Sequence, residues 1–226
     1  MRAVLFDMDG TLVDSEKLWD ISIHQLYDRF GTAMSPEVRD LTVGGAAEDV
    51  IRIVFDDLGL PPDPDEMAKT ADWLHDITGD LFDAGLPWCD GARDLLEALA
   101  AEGVPMALVT NTRRGLTERA LNSIGRHYFV TSVCGDEVPR GKPAPDAYQK
   151  AAALLGYDPA HCLAIEDSVN GATAAEEAGC PVLVVPNDIV VPSTPRRRHV
   201  DSLVGVDLAG LRAIYDELQL DPEPTR

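Results

Sequence analysis

The chain has 226 residues and an ordinary apolar content of 45%, enough to bury a sizeable core as one large domain or as a domain carrying an insert. Its formal net charge of −20 excludes the basic face that nonspecific binding to nucleic acid or an anionic membrane requires, so a site for anionic substrates must carry its own positive charge. No apolar stretch reaches the length of a membrane span, and Asp7 and Asp9 interrupt the N-terminal run too early for a signal peptide. A cytoplasmic protein, monomeric or weakly dimeric, is expected. Its cysteines, Cys89, Cys134, Cys162 and Cys180, have neither zinc-site nor CxxC spacing and are expected as reduced thiols, mostly buried.

The first predicted element is a strand over 3–6. Its apolar run stops at Asp7-Met8-Asp9-Gly10-Thr11, two carboxylates one residue apart followed by a glycine. Period-two alternation sends Asp7 and Asp9 to the same side of an extended chain. At about 4 Å and an effective dielectric of about 20, two such charges repel by roughly 4 kcal/mol, so something must offset them. A bound Mg²⁺ would, because it prefers carboxylate and carbonyl oxygens.

From 15 to 86 only helical periodicity is found. Leu18, Ile21, Leu26 and Phe30 are expected to share one face, and Val50, Ile51, Val54, Phe55 and Leu58 another. Pro61-Pro62-Asp63-Pro64 reads as a rigid link between helices. This block is predicted to be an all-helical cap (15–86) inserted after the first strand of a core formed by 1–14 and 87–226. Trp19, near its start, either lines a substrate pocket or packs between cap and core.

Strands are then predicted at 104–109, 129–134, 161–165 and 181–185. All are continuous apolar runs, as in parallel strands covered on both faces. Between most of them lie helical stripes closed by Gly103, Gly125, Gly156 and Gly179, with Pro145 opening one helix. Strand–helix alternation of this kind predicts an α/β fold, a Rossmann-like doubly wound parallel sheet.

Three further polar clusters follow apolar runs. Thr110-Asn111, ahead of a predicted helix, reads either as an anion cradle or as an ordinary helix cap. Lys142, in Gly141-Lys142-Pro143-Ala144-Pro145, has a stiff backbone frame that can aim one point charge at a phosphate. Glu166-Asp167-Ser168 brings two more acids to a strand end. Oxygen ligands without His or Cys indicate Mg²⁺ rather than zinc. The run Arg196-Arg197-Arg198-His199 reads as a solvated loop, or as a patch attracting an anionic substrate. The last residues, 221–226, read as a frayed tail.

In this order, Asp7-x-Asp9-Gly10-Thr11, Thr110-Asn111, Lys142 and Glu166-Asp167 resemble the haloacid dehalogenase superfamily, over almost the whole chain. The insert position resembles the helical-cap subgroup that includes beta-phosphoglucomutases and many sugar-phosphate phosphatases. The resemblance implies that Asp7 is a nucleophile forming an aspartyl-phosphate, and that Asp9 is the general acid and then the base. It implies a Mg²⁺ cofactor held by Asp7, Asp167, the Asp9 carbonyl and Glu166 as ligand or neighbour. Thr110, the Asn111 backbone and Lys142 would hold the phosphoryl oxygens. The expected substrate is a small phosphorylated metabolite, a sugar or polyol phosphate.

Dehalogenation is disfavoured by Asp9, since a departing halide needs no proton. A mutase is disfavoured because the resemblance places a histidine where this chain has Trp19, and an arginine near Gly44-Gly45-Ala46-Ala47, where it has Ala47. A phosphate-binding module without turnover is the rival from a different class.

Overall fold

The structure, a computed structural model, describes residues 1–42, 47–185 and 190–220. Gly44-Gly45-Ala46 and residues 221–226 lie outside the described residues. Among the described residues the strands are β1 (Ala3–Phe6), β2 (Met106–Val109), β3 (Thr131–Val133), β4 (Cys162–Glu166), β5 (Val182–Val184) and β6 (Arg197–His199). They form one sheet in the order β3-β2-β1-β4-β5-β6, every pair parallel. This is the expected Rossmann-like α/β architecture. The four residues of β1 are wholly buried, as a central strand of continuous apolar character requires.

The helices are α1 (Glu16–Arg29), α2 (Pro36–Thr42), α3 (Ala47–Asp57), α4 (Pro64–Ala84), α5 (Ala92–Ala101), α6 (Arg114–Ile124), α7 (Asp146–Leu155), α8 (Val169–Ala178) and α9 (Leu208–Leu220). Five of them, α1 to α5, lie between β1 and β2, with no strand among the described residues there. The chain divides into two compact units, one of 1–14, 87–114 and 125–226, the other of 15–86 together with 115–124.

In the first unit, the small stripes of α7 (Ala147, Ala151, Ala152) and α8 (Ala172, Ala174, Ala175) cluster with Leu5, Ala107, Val109, Ala164 and Val182 of the sheet. Small residues let a helix lie close to a sheet that carries bulk of its own.

In the second unit, Val50, Ile51, Val54 and Phe55 of α3 meet Ile23, Leu26 and Tyr27 of α1 and Leu74 of α4. The expected face of α1 is corrected here. Ile21 and Phe30 are exposed, while Ser22, Ile23, Leu26 and Tyr27 are buried. Ile23, Leu26 and Tyr27 pack against Val50, Ile51, Val54 and Phe55 of α3 and Leu74 of α4, and Thr78 Oγ1 of α4 lies 2.9 Å from Ser22 Oγ.

The basic run is also corrected. It is not a solvated loop: Arg197–His199 is the edge strand β6, paired with β5. Arg196 donates to Gly179 O at 2.6 Å, and Arg197 reaches Glu176 at 2.8 Å and Thr173 at 3.2 Å. Arginine stems can line a sheet edge while their heads find acceptors. All four cysteines are free, three of them buried, and burial pushes the thiol pKa of Cys89 up to about 12 and of Cys162 up to about 11.

Candidate active site

β1 lies between β2 and β4, with Phe6 opposite both Leu108 and Ile165. The residues that follow these three strands therefore leave the sheet at one edge, where the strand order reverses and where open α/β sheets bind ligands.

Asp7 follows β1, its backbone N–H donating to Ile165 O at 3.0 Å. The next residues fold back tightly, Gly10 N–H to Val13 O at 2.8 Å, with Gly10 at φ 80°, a backbone state that glycine adopts without strain.

Lys142 reaches the same place from the segment between β3 and α7. Its Nζ donates to Asp7 Oδ1 at 2.5 Å, Glu166 Oε1 at 2.6 Å and Val109 O at 2.8 Å. An ammonium has three protons, and all three are engaged. Asn111 holds the backbone of this lysine from both sides: its Nδ2 donates to Lys142 O at 3.1 Å and its Oδ1 accepts from Lys142 N–H at 2.8 Å. The Asn111 side chain thus aims Lys142, while the resemblance assigned only the Asn111 backbone to phosphate.

Glu166, the last residue of β4, is fully buried. Besides Lys142, its Oε1 accepts from the Tyr148 hydroxyl at 2.7 Å. Its Oε2 accepts from Asp167 N–H and the Ser168 hydroxyl, each at 3.2 Å. Gly171 in α8 makes room for this carboxylate, since a methyl group there would overlap it. Ser168 caps α8 by accepting from Gly171 N–H at 3.0 Å.

Asp9 Oδ2 accepts from two hydroxyls, Thr110 Oγ1 at 3.0 Å and Thr112 Oγ1 at 2.8 Å. The end of that loop is pinned by Arg114, which grips Glu137 with Nε and Nη2 at 2.9 and 2.8 Å and Ser132 Oγ with Nη1 at 2.7 Å. Trp19 lies in the second unit, half-buried and edge-on to the His75 ring with centroids 6.2 Å apart, which is a packing contact.

Thr112 and Tyr148 are the site residues that sequence reasoning missed. Two hydroxyls spaced by two, Thr110 and Thr112, were the available signal for the first. Tyr148 sits within the apolar stripe of α7, and nothing in that stripe marks a partner on β4.

The donor set fits a divalent cation. Asp7, Glu166 and Asp167 each offer a carboxylate oxygen, all within 4.8 Å of one another. Asp7 Oδ2 is buried with no hydrogen-bond partner. Burial pushes the Asp7 pKa up to about 8; the Lys142 ammonium pulls the other way, and the Glu166 and Asp9 charges add to the rise. Burial opposes the Lys142 charge too, but Asp7 and Glu166 outweigh it and hold its pKa above the usual lysine range. One ammonium therefore faces two buried carboxylates, and the surplus negative charge calls for a cation. Oxygen donors alone suit Mg²⁺.

A family profile for haloacid dehalogenase-like hydrolases matches residues 1–179. The chain is 32% identical over 194 residues to a probable pseudouridine-5'-phosphatase of Drosophila melanogaster, covering 81% of this chain and 80% of that protein. It is 30% identical over 213 residues to the 6-phosphogluconate phosphatase of Escherichia coli, covering 90% and 93%. Among solved structures, CbbY of Rhodobacter sphaeroides, crystallised with xylulose-(1,5)bisphosphate, superposes with a TM-score of 0.80 at 28% identity, covering 93% of this chain and 99% of that one.

Proposed function

From the premise that the chain belongs to the haloacid dehalogenase-like hydrolases, we propose that it is a Mg²⁺-dependent phosphatase of a small phosphorylated metabolite, a sugar or polyol phosphate, acting through an aspartyl-phosphate. One observation carries this reading: a buried Asp7 oxygen without a hydrogen-bond partner, beside an ammonium and within an all-oxygen acidic cluster. An unpartnered carboxylate oxygen is what phosphoryl attack requires. Its neighbours supply the charge neutralisation on which phosphoryl transfer depends.

Asp7 attacks phosphorus while the bond to the leaving oxygen breaks, and Asp9 gives that oxygen its proton, releasing an alcohol. The Asp9 carboxylate then takes a proton from water. The water oxygen attacks phosphorus, and the acyl phosphate opens to inorganic phosphate and Asp7. Mg²⁺, held by Asp7, Asp167, the Asp9 carbonyl and Glu166, would supply charge compensation for the phosphoryl oxygens. Lys142 orients Asp7 and neutralises part of the charge that collects on it. Thr110 and the Asn111 backbone receive the phosphoryl oxygens. The helical segment 15–86 selects the leaving group, and the likeness to a 6-phosphogluconate phosphatase and a probable pseudouridine-5'-phosphatase supports a phosphorylated polyhydroxy compound.

The test is Mg²⁺-dependent phosphate release from a panel of sugar, polyol, nucleotide and glycolate phosphates. Wild-type protein should release phosphate from at least one sugar or polyol phosphate. Asp7→Asn should release none from any of them while keeping the wild-type circular dichroism spectrum. Turnover by Asp7→Asn would refute the nucleophile, and glucose 6-phosphate formed from beta-glucose 1-phosphate with little free phosphate would refute hydrolysis.

A further inference from the structure

The two hydroxyls on Asp9 are not equivalent once a phosphoryl group is bound. A threonine hydroxyl has one proton to donate. Thr110 Oγ1 gives it to Asp9 Oδ2 at 3.0 Å and also accepts from Thr112 N–H at 3.0 Å. If Thr110 turns its proton to a phosphoryl oxygen, as the proposed function requires, it no longer donates to Asp9. Thr112 Oγ1, at 2.8 Å, keeps its hold on Asp9 Oδ2.

We propose that Thr112 is the positioning residue of Asp9. Its hydroxyl fixes the carboxyl group through Oδ2 while the proton passes between Asp9 and the leaving oxygen, and again when water is activated. The backbone is built for this constancy. Thr112 N–H is tied to Thr110, Thr112 O accepts from Gly135 N–H at 3.4 Å, and Arg114 anchors the loop two residues later through Glu137 and Ser132. A hydroxyl aimed from so constrained a loop holds one orientation. General acid catalysis is sensitive to orientation because the proton must lie on the line to the leaving oxygen. The inference rests on the reading of Asp9 as general acid and base.

The experiment compares leaving groups. 4-Nitrophenyl phosphate departs as a stabilised phenolate and gains little from a general acid, whereas an alkyl phosphate departs as an alkoxide and depends on one. Thr112→Val should lower the single-turnover rate of alcohol release from alkyl phosphates, which reads the first step alone, by about 10- to 100-fold, the scale of one hydrogen bond to a charged group. It should change the single-turnover burst of 4-nitrophenolate less than about threefold and leave the substrate concentration for half-maximal burst nearly unchanged for both. Thr112→Ser, which restores the hydroxyl, should recover the alkyl rate. An equal fall on both substrates, or none on either, would overturn the proposal, as would failure of serine to rescue.

Asp9→Asn, measured in parallel, separates the two levels. It should abolish alcohol release from alkyl phosphates while sparing part of the 4-nitrophenolate burst, the phosphoenzyme then persisting because no carboxylate activates water. If it retains alkyl turnover, the reading of Asp9 itself falls and this proposal with it. If Asp9→Asn behaves as expected and Thr112→Val is indistinguishable from wild type, only the role of Thr112 falls.

Discussion

At the scale of single residues, the site is a chain of charges ordered by burial. Glu166 anchors it, accepting from Lys142, Tyr148 and the start of α8 at once. Removing the Tyr148 hydroxyl leaves Glu166 Oε1 with one donor fewer in a fully buried place. Tyr148→Phe is therefore expected to cost about 1–3 kcal/mol of stability, read by urea unfolding, because a buried acceptor loses a charge-assisted bond. Phosphate release should fall with it, as Lys142 loses its fixed reference. An unchanged unfolding midpoint would show that the hydroxyl is not engaged. The residues of this chain of charges differ in how legible they are. Asp7, Lys142, Glu166 and Asp167 can be read because each follows an apolar run or a stiff frame, so their chemistry interrupts a pattern. Tyr148 cannot: an aromatic in an apolar stripe carries its partner in the third dimension. Thr112 is intermediate, one hydroxyl among the polar residues that open α6.

At the scale of elements, apolar strands and glycine-closed helices were legible because burial on both faces imposes continuous hydrophobicity, and helix ends impose Gly and Pro. β6 was not, because its three residues, Arg197-Arg198-His199, follow no apolar pattern. Its ladder to β5 and the acceptors under its arginines make it a strand. The two flanks of that strand are unlike. The Arg197 side chain is 6% exposed against Glu176, whereas that of Arg198 is 57% exposed. Arg197→Ala should cost about 2 kcal/mol, a fall in Tm of roughly 4–8 °C for a protein of this size, because Glu176 loses its ion-pair partner and Thr173 a donor. Arg198→Ala should leave Tm where it is. Equal effects from the two would contradict the edge-strand packing. The face of α1 shows the complementary lesson. An apolar count along α1 alone does not settle its face: Ile23, Leu26 and Tyr27 are buried against residues of α3 and α4, which lie elsewhere in the chain, and Ser22 is buried beside Thr78.

At the scale of the whole molecule, the chain carries a net charge of −20, and Asp7, Glu166 and Asp167 bring three carboxylates together at one place. The pH dependence of stability has a definite sign. The Asp7 pKa is raised in the fold to about 8 from an ordinary value near 3.8, so the metal-free fold holds a proton that the unfolded chain gives up. Stability from this group is greatest below pH 4 and declines as pH rises from about 4 to 8. Lys142, raised above its usual range, contributes below its unfolded pKa and is constant across that window. Mg²⁺ competes with the Asp7 proton, so the rise in Tm on adding Mg²⁺ should grow between pH 5 and 8, as followed by calorimetry. At about a hundredfold excess over Kd the stabilisation is about 2.7 kcal/mol. Asp167→Asn should remove most of it, and a Tm indifferent to Mg²⁺ at pH 8 would rule out the cation site.

The covalent step at Asp7 is most directly tested by trapping. Quenching wild-type protein during turnover and reducing it with borohydride converts an aspartyl-phosphate to homoserine, which peptide mass spectrometry locates. Homoserine is predicted at position 7, absent at position 9 and absent without substrate. Its absence from position 7 while phosphate is being released, or its appearance at another aspartate, would contradict the account.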